Sequence, residues 1–298
     1  IALLLLFIVG YIAVWIRAFC RTRPRRRAVY AGAMGAVCTG LTIYAVMCLL
    51  WGVNYYTDSF QDKSGIRAKE GSVEELYQVT EYFADRLKET ADLVDRDDAG
   101  VFAVSREEIF EGSTSVYDGV EEEFPFLEFP DQKPKAVYFS RIMSAMNFTG
   151  IYCPFTGESN LNVDSPACLL PSTIAHELAH QRGIASEQEC NFIAVLAATT
   201  CGSTVYAYSG WLLGYIHLSN ALYAADQELW QSVWDTLPEG ARTDIAYNNA
   251  YWAQMRGLVY QASQKVYDSF LKGYGESDGV RSYGTVVDLL VAYYGNME

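Results

Sequence analysis

Residues 171–191 read PSTIAHELAHQRGIASEQECN, and the run from His176 to His180 inside them decides what kind of domain this is. The chain has only three histidines, and two stand here four residues apart, with Glu177 beside the first. On an α-helix that separation puts both imidazoles on one face, one turn apart. Two neutral imidazoles so placed can bind a divalent ion, zinc above all. The glutamate between them can then take a proton from water that the ion has acidified to a pKa of about 7. Pro171 and Ser172 suit a helix start, Ile174, Leu178 and Ala179 supply packing positions, and Gly183 offers a left-handed stop from which the chain can turn back. Ser186 to Glu189 reads as a capping box opening a second helix, with Glu187 in its first turn and Asn191 one turn further on.

This pair of elements resembles the zinc metallopeptidases of the thermolysin-like gluzincin clan, in which a helix carrying HExxH is followed by a helix carrying Glu-x-x-x-Asp. Here the second element is Glu187-Gln188-Glu189-Cys190-Asn191. The resemblance implies His176, His180 and Glu187 as zinc ligands, Glu177 as general base, and Asn191 as the residue supporting a ligand histidine. Two departures stand out: the gap between the helices is much shorter than in thermolysin, and asparagine replaces aspartate. Glu189 is the competing third ligand. More closely, the run from Gly150 to Asn191, with PFTGESNLN ahead of the helix, resembles an uncharacterised family of bacterial membrane-anchored HExxH proteins. The segments Tyr267-Asp-Ser-Phe-Leu-Lys and Gly279-Val-Arg-Ser-Tyr are similar to the same family. That likeness covers most of residues 54–298 and implies a metallopeptidase with no named substrate.

Ile1 to Ile16 is free of charge, and a second uncharged run extends from Ala28 to Asn54. A membrane crossing needs about 20 apolar residues, so two transmembrane helices are predicted, with a cleaved signal peptide as the alternative for the first. Between them lie Arg17, Arg21, Arg23, Arg25, Arg26 and Arg27 with no acid. Basic loops stay in the cytoplasm, which predicts a multi-pass protein of the bacterial cytoplasmic membrane with everything after Asn54 outside. The charge split agrees: residues 1–53 carry +6, and the remainder has 16 basic against 36 acidic residues. So acidic a body excludes nucleic acid as a partner. Residues 1–53 read as the membrane part, 54–71 as a juxtamembrane connector, and 72–298 as one zincin-like domain. The fold class is α+β and mostly helical, with a small antiparallel sheet.

Ser72 to Glu75 and Ser105 to Glu108 open two helices. Lys135 to Phe139, Gly150 to Cys153 and Glu158 to Val163 have strand character. The last is predicted to be the edge strand along the cleft, where an extended substrate adds by backbone hydrogen bonds, with Asn160 and Asn162 facing the peptide or serving as ordinary turn residues. Cys190 to Ala225 is uncharged and is expected to form buried core helices, or else a hairpin dipping into the bilayer. His217 within it is a candidate oxyanion donor or a satisfied core residue, with Tyr223 a further candidate. One helix near 244–271 shows Tyr251, Met255, Leu258, Ala262 and Val266 as a core stripe. Cys153 and Cys168 could form a disulfide, or all four body cysteines could stay reduced. These features point to a membrane-anchored zinc metallopeptidase acting on extracytoplasmic proteins or peptides. The alternative is a non-catalytic extracytoplasmic binding or envelope-organising module with a structural or vestigial zinc site.

Overall fold

The computed structural model describes residues 2–21, 24–273 and 284–295, so the Gly279–Tyr283 motif and Arg23 lie outside the described residues. The chain divides into two compact units, Ile1–Val53 and Asn54–Glu298. The first contains α1 (Ala2–Arg21) and α2 (Arg25–Leu50), packed on each other. Among the described residues one helix, Arg25–Leu50, is long and apolar enough to cross a membrane, judged by length and composition.

The second unit is mostly helical. Its helices are α3 (Phe60–Ser64), α4 (Val73–Thr90), α5 (Arg106–Glu111), α6 (Asp118–Glu123), α7 (Ser140–Ala145), α8 (Leu170–Gln181) and α9 (Glu187–Thr200). They continue with α10 (Thr204–Ala225), α11 (Gln227–Thr236), α12 (Glu239–Met255), α13 (Leu258–Gly273) and α14 (Gly284–Tyr294). The capping box of α4 forms as expected: Ser72 Oγ accepts from the Glu75 N–H, and the Glu75 carboxylate accepts from the Ser72 N–H. That start sets Val79, Phe83, Ala84 and Leu87 on one buried face against α10. Phe83 stacks edge-on with Trp211 and Tyr294 at 5.0 and 4.9 Å. Burying one such ring contributes about 1.5–3 kcal/mol.

The uncharged run becomes α9 and α10, separated by a break at Cys201 to Ser203. Residues Phe192 to Ala198 are all buried, because α9 is packed by α6, α8, α10 and α14. A helix surrounded on that many sides has no face left for a charge. The predicted connector is no loose tether, since Phe60 is fully buried against Phe124 and Phe192.

Three expectations are corrected. The sheet is mixed, with order β1 (Lys135–Ala136), β3 (Glu158–Leu161), β2 (Gly150–Cys153). β3 pairs parallel with β1 (Lys135↔Asn160, Ala136↔Leu161) and antiparallel with β2, so it is the central strand and not an edge. Alternation along a strand says which face is buried but nothing of a partner's direction, and a two-residue strand has no period to read. The stripe assigned to a single helix is interrupted at Arg256 and Gly257, and beyond the break Leu258 and Val266 are exposed while Tyr251 is half-buried. All seven cysteines are free thiols, Cys153 and Cys168 included.

Candidate metal centre

The HExxH residues sit on α8, which begins with a proline in its first turn and is tied to α10 by the Ser172 N–H donating to Ser209 Oγ. At its other end Gly183 adopts φ 81°. That left-handed residue lets the Gly183 and Ile184 N–H groups close back onto His180 and Ala179 carbonyls. The reversal carries the chain straight into α9, whose Ser186 side chain accepts from the Glu189 N–H. The return half of the predicted capping box is absent there. The Glu189 carboxylate instead accepts from the Phe60 and Gln61 N–H groups at 2.9 and 3.2 Å, anchoring α3, which removes it from competition with Glu187.

Two short helices thus place four groups at one point. His176 Nε2 lies 3.1 Å from Glu187 Oε2, and His180 Nε2 lies 3.5 Å from Glu187 Oε1. The rings stand nearly perpendicular, with centroids 4.9 Å apart. His176 Nδ1 meets Asn191 Oδ1 at 2.9 Å, and His180 Nδ1 meets the Ile184 carbonyl at 2.8 Å. An oxygen acceptor at each Nδ1 makes that nitrogen the donor, so both Nε2 atoms are turned toward the same carboxylate. Burial raises the Glu187 pKa, yet the two imidazoles outweigh it and hold the group well below the usual carboxylate range. Burial lowers the His180 pKa, and here Cys190 and Glu187 outweigh it in the other direction.

The histidine pair with Cys190 also brings three ligand atoms within 4.8 Å of one another. Cys190 Sγ is 3.3 Å from His180 Nδ1, however, on the side of the ring already bonded to Ile184, and burial lifts its thiol to about 11. Glu187, already an anion, is the better candidate for a third ligand.

Glu177 is 4% exposed, and burial raises its pKa, partly offset by the two histidines and by a Tyr152 backbone hydrogen bond. Its Oε2 is buried with no hydrogen-bond partner among the described residues, a costly state for a carboxylate. Gly150 makes room for it: a Cβ there would stand 2.4 Å from Glu177 Oε1. Ser159 Oγ on β3 donates to the Glu177 carbonyl, fixing the helix to the sheet.

His217 is half-buried on α10, and its pKa falls to about 4 through burial and through repulsion by the like charge of His176, so it is neutral at neutral pH. Tyr223 is exposed and packs edge-on against Trp230, away from any such task. Asn162 is fully buried: its amide nitrogen donates to Ser144 Oγ and the Phe148 carbonyl, and its oxygen accepts from the Asp164 N–H. Asn160 donates to the Glu158 and Ile151 carbonyls. Both asparagines brace the strand and loop, and β3, paired on both sides, has no free edge for a peptide to join. Tyr267 of α13, assigned no role from the sequence, donates to Glu187 Oε1 at 2.6 Å. With 22 tyrosines in the chain its type carries no signal, and only the family-like segment that begins at Tyr267 singled it out.

A family model described as Protein of unknown function (DUF3810) matches residues 1–291. No curated protein and no solved structure matches the chain.

Proposed function

The chain belongs to the DUF3810 family, and from its site we propose that it is a membrane-anchored zinc metallopeptidase with a gluzincin-like, zincin-type domain. One observation carries this: two imidazole Nε2 atoms and one carboxylate converge, both Nδ1 atoms are engaged behind them, and a buried glutamate oxygen beside them lacks a partner. That donor set, three ligands with no fourth among the described residues on the Nε2 side, fits zinc with an open position. His176, His180 and Glu187 would hold it. The chemistry a zinc ion supplies when bound is Lewis acidity, which acidifies water and polarises a carbonyl.

Glu177 does the proton work. Burial keeps its carboxylate poised to accept a proton from the attacking water at Oε2 and to deliver it to the leaving amine. His217, kept neutral by its burial, would donate a hydrogen bond to the oxyanion. Substrate adds to β2. The Asn162 N–H donates to the Thr149 carbonyl, and antiparallel alternation then turns the backbone of Gly150 to the outer side of the sheet, next to Glu177. The run of arginines from Arg17 to Arg27, at the end of α1 and the start of α2, supports two crossings with the second unit outside the cytoplasm, where protein or peptide substrates are met.

The test uses the full chain in detergent. Glu177→Gln is expected to keep its zinc while peptide hydrolysis drops by roughly 10²–10⁴-fold. Wild-type protein that carries zinc and cleaves no peptide in a diverse library would contradict a peptidase. A second reading, a non-catalytic binding or envelope-organising module with a structural ion, draws on the Cys190 contact with His180, which offers a fourth ligand. Chelation should then unfold the protein, whereas an enzyme should fall silent and stay folded.

A further inference from the structure

We propose that Tyr267 is the positioning residue of this centre: its phenol holds Glu187 Oε1 so that Oε2 alone is presented to the ion. The inference rests on the zinc reading above. Each of the three ligand groups is held from outside the set, the histidines through Asn191 and the Ile184 carbonyl at their Nδ1 atoms. For Glu187 the contact is the Tyr267 hydroxyl, 2.6 Å from Oε1. A donor on one carboxylate oxygen draws charge toward that oxygen and leaves the other as the better ligand. Oε2 is the oxygen nearer an imidazole, 3.1 Å from His176 Nε2, while Oε1, bonded to the phenol, stands 3.5 Å from His180 Nε2. Binding through one oxygen keeps the ligand count at three and preserves the open position that hydrolysis needs.

The placement of α13 supports a task for this hydroxyl beyond packing. Leu271 is its one buried residue, while Leu258 and Val266 are 85% and 72% exposed. Tyr267 nevertheless turns inward, its ring edge-on to Phe148 at 5.4 Å, two residues before β2 begins. Ser263, one turn earlier, donates to the Met146 carbonyl at 2.8 Å. The helix therefore spans from the segment leading into the β2 edge to the third ligand on α9.

The experiment compares the full-length wild type, Tyr267→Phe and Ser263→Ala in detergent. Zinc affinity is measured by competition with a chromophoric chelator, and zinc coordination by X-ray absorption. Tyr267→Phe keeps the ring against Phe148 and removes only the hydroxyl. It is expected to bind zinc roughly 10–100-fold more weakly and to gain one oxygen in the coordination shell. Ser263→Ala loosens α13 without touching the carboxylate and should match wild type in both. Unchanged affinity and coordination in Tyr267→Phe would overturn the proposal, as would an equal loss in Ser263→Ala, which would trace the effect to docking of α13. Wild type that takes up no zinc would fail at the earlier step, overturning the zinc reading itself.

Discussion

Two buried charge clusters share α8 and its C-terminal turn, and they are built on opposite plans. Just past the last turn, Arg182 donates to Glu121 and Asp131 at 2.7 and 2.6 Å, to the Leu127 carbonyl at 2.8 Å and to the Leu178 carbonyl at 3.3 Å. Its guanidinium also lies 3.6 Å from the centre of the Tyr117 ring. The chain supplies its own cation there, and all three of its nitrogens donate. Along the helix, Glu187 from the first turn of α9 meets two imidazoles and a phenol, and among the described residues no lysine or arginine pairs with it. Glu177 stands beside it with one oxygen unmatched. A cluster that closes on itself holds a fold together, whereas one that converges without closing is arranged to receive something.

The largest expected effect separates the two directly. Arg182→Gln strands two carboxylates that are 20% and 11% exposed, and should cost about 3–5 kcal/mol in denaturant unfolding of metal-free protein. His176→Gln, in the same assay, should cost only about 1 kcal/mol, since Glu187 keeps His180 and Tyr267. Equal losses would erase the distinction. Next in size, zinc at a hundredfold excess over its dissociation constant should stabilise wild type by about 2.7 kcal/mol, and Arg182→Gln by as much if it folds. His176→Gln and His180→Gln should show no such shift in thermal unfolding.

Smaller changes sharpen the contrast. Gly150→Ala drives a methyl group into Glu177 and is expected to cost about 1–3 kcal/mol in stability, with hydrolysis reduced and zinc content kept. A third cluster, Asp164 with Tyr251 and Ser144, is closed like that of Arg182 but half-exposed. Burial there raises the Asp164 pKa, but hydrogen bonds from Tyr251, Ser144 and Arg141 bring it below the ordinary value. A depressed carboxylate pKa contributes stability above about pH 3.9 and loses it as pH falls through the lower folded value. Tyr251→Phe should therefore reduce stability at neutral pH by no more than about 1 kcal/mol and flatten the acid limb of the stability profile. An unchanged acid limb would show that Asp164 is not held this way.

The centre was legible where its parts are close in sequence. His176, His180, Glu187 and Asn191 fall within sixteen residues, and helical spacing with one glycine stop is enough to bring them together. What escaped depends on distant pairing. Tyr267 reaches Glu187 across eighty residues, from a helix whose apolar spacing read as core although Leu258 and Val266 face outward. The cleft-side strand was misplaced because β1 is too short to show a period, so nothing indicated that β3 would be enclosed. Glu189 had the right type and position for a ligand, and only the folded chain shows it capping Phe60 and Gln61 instead.

Zinc content of the full chain, measured by mass spectrometry after gel filtration, tests the central claim most directly. Wild type and Glu177→Gln are expected to carry one ion per chain, and His176→Gln and His180→Gln close to none. Wild-type protein without bound metal, or histidine variants loaded as fully as wild type, would contradict it.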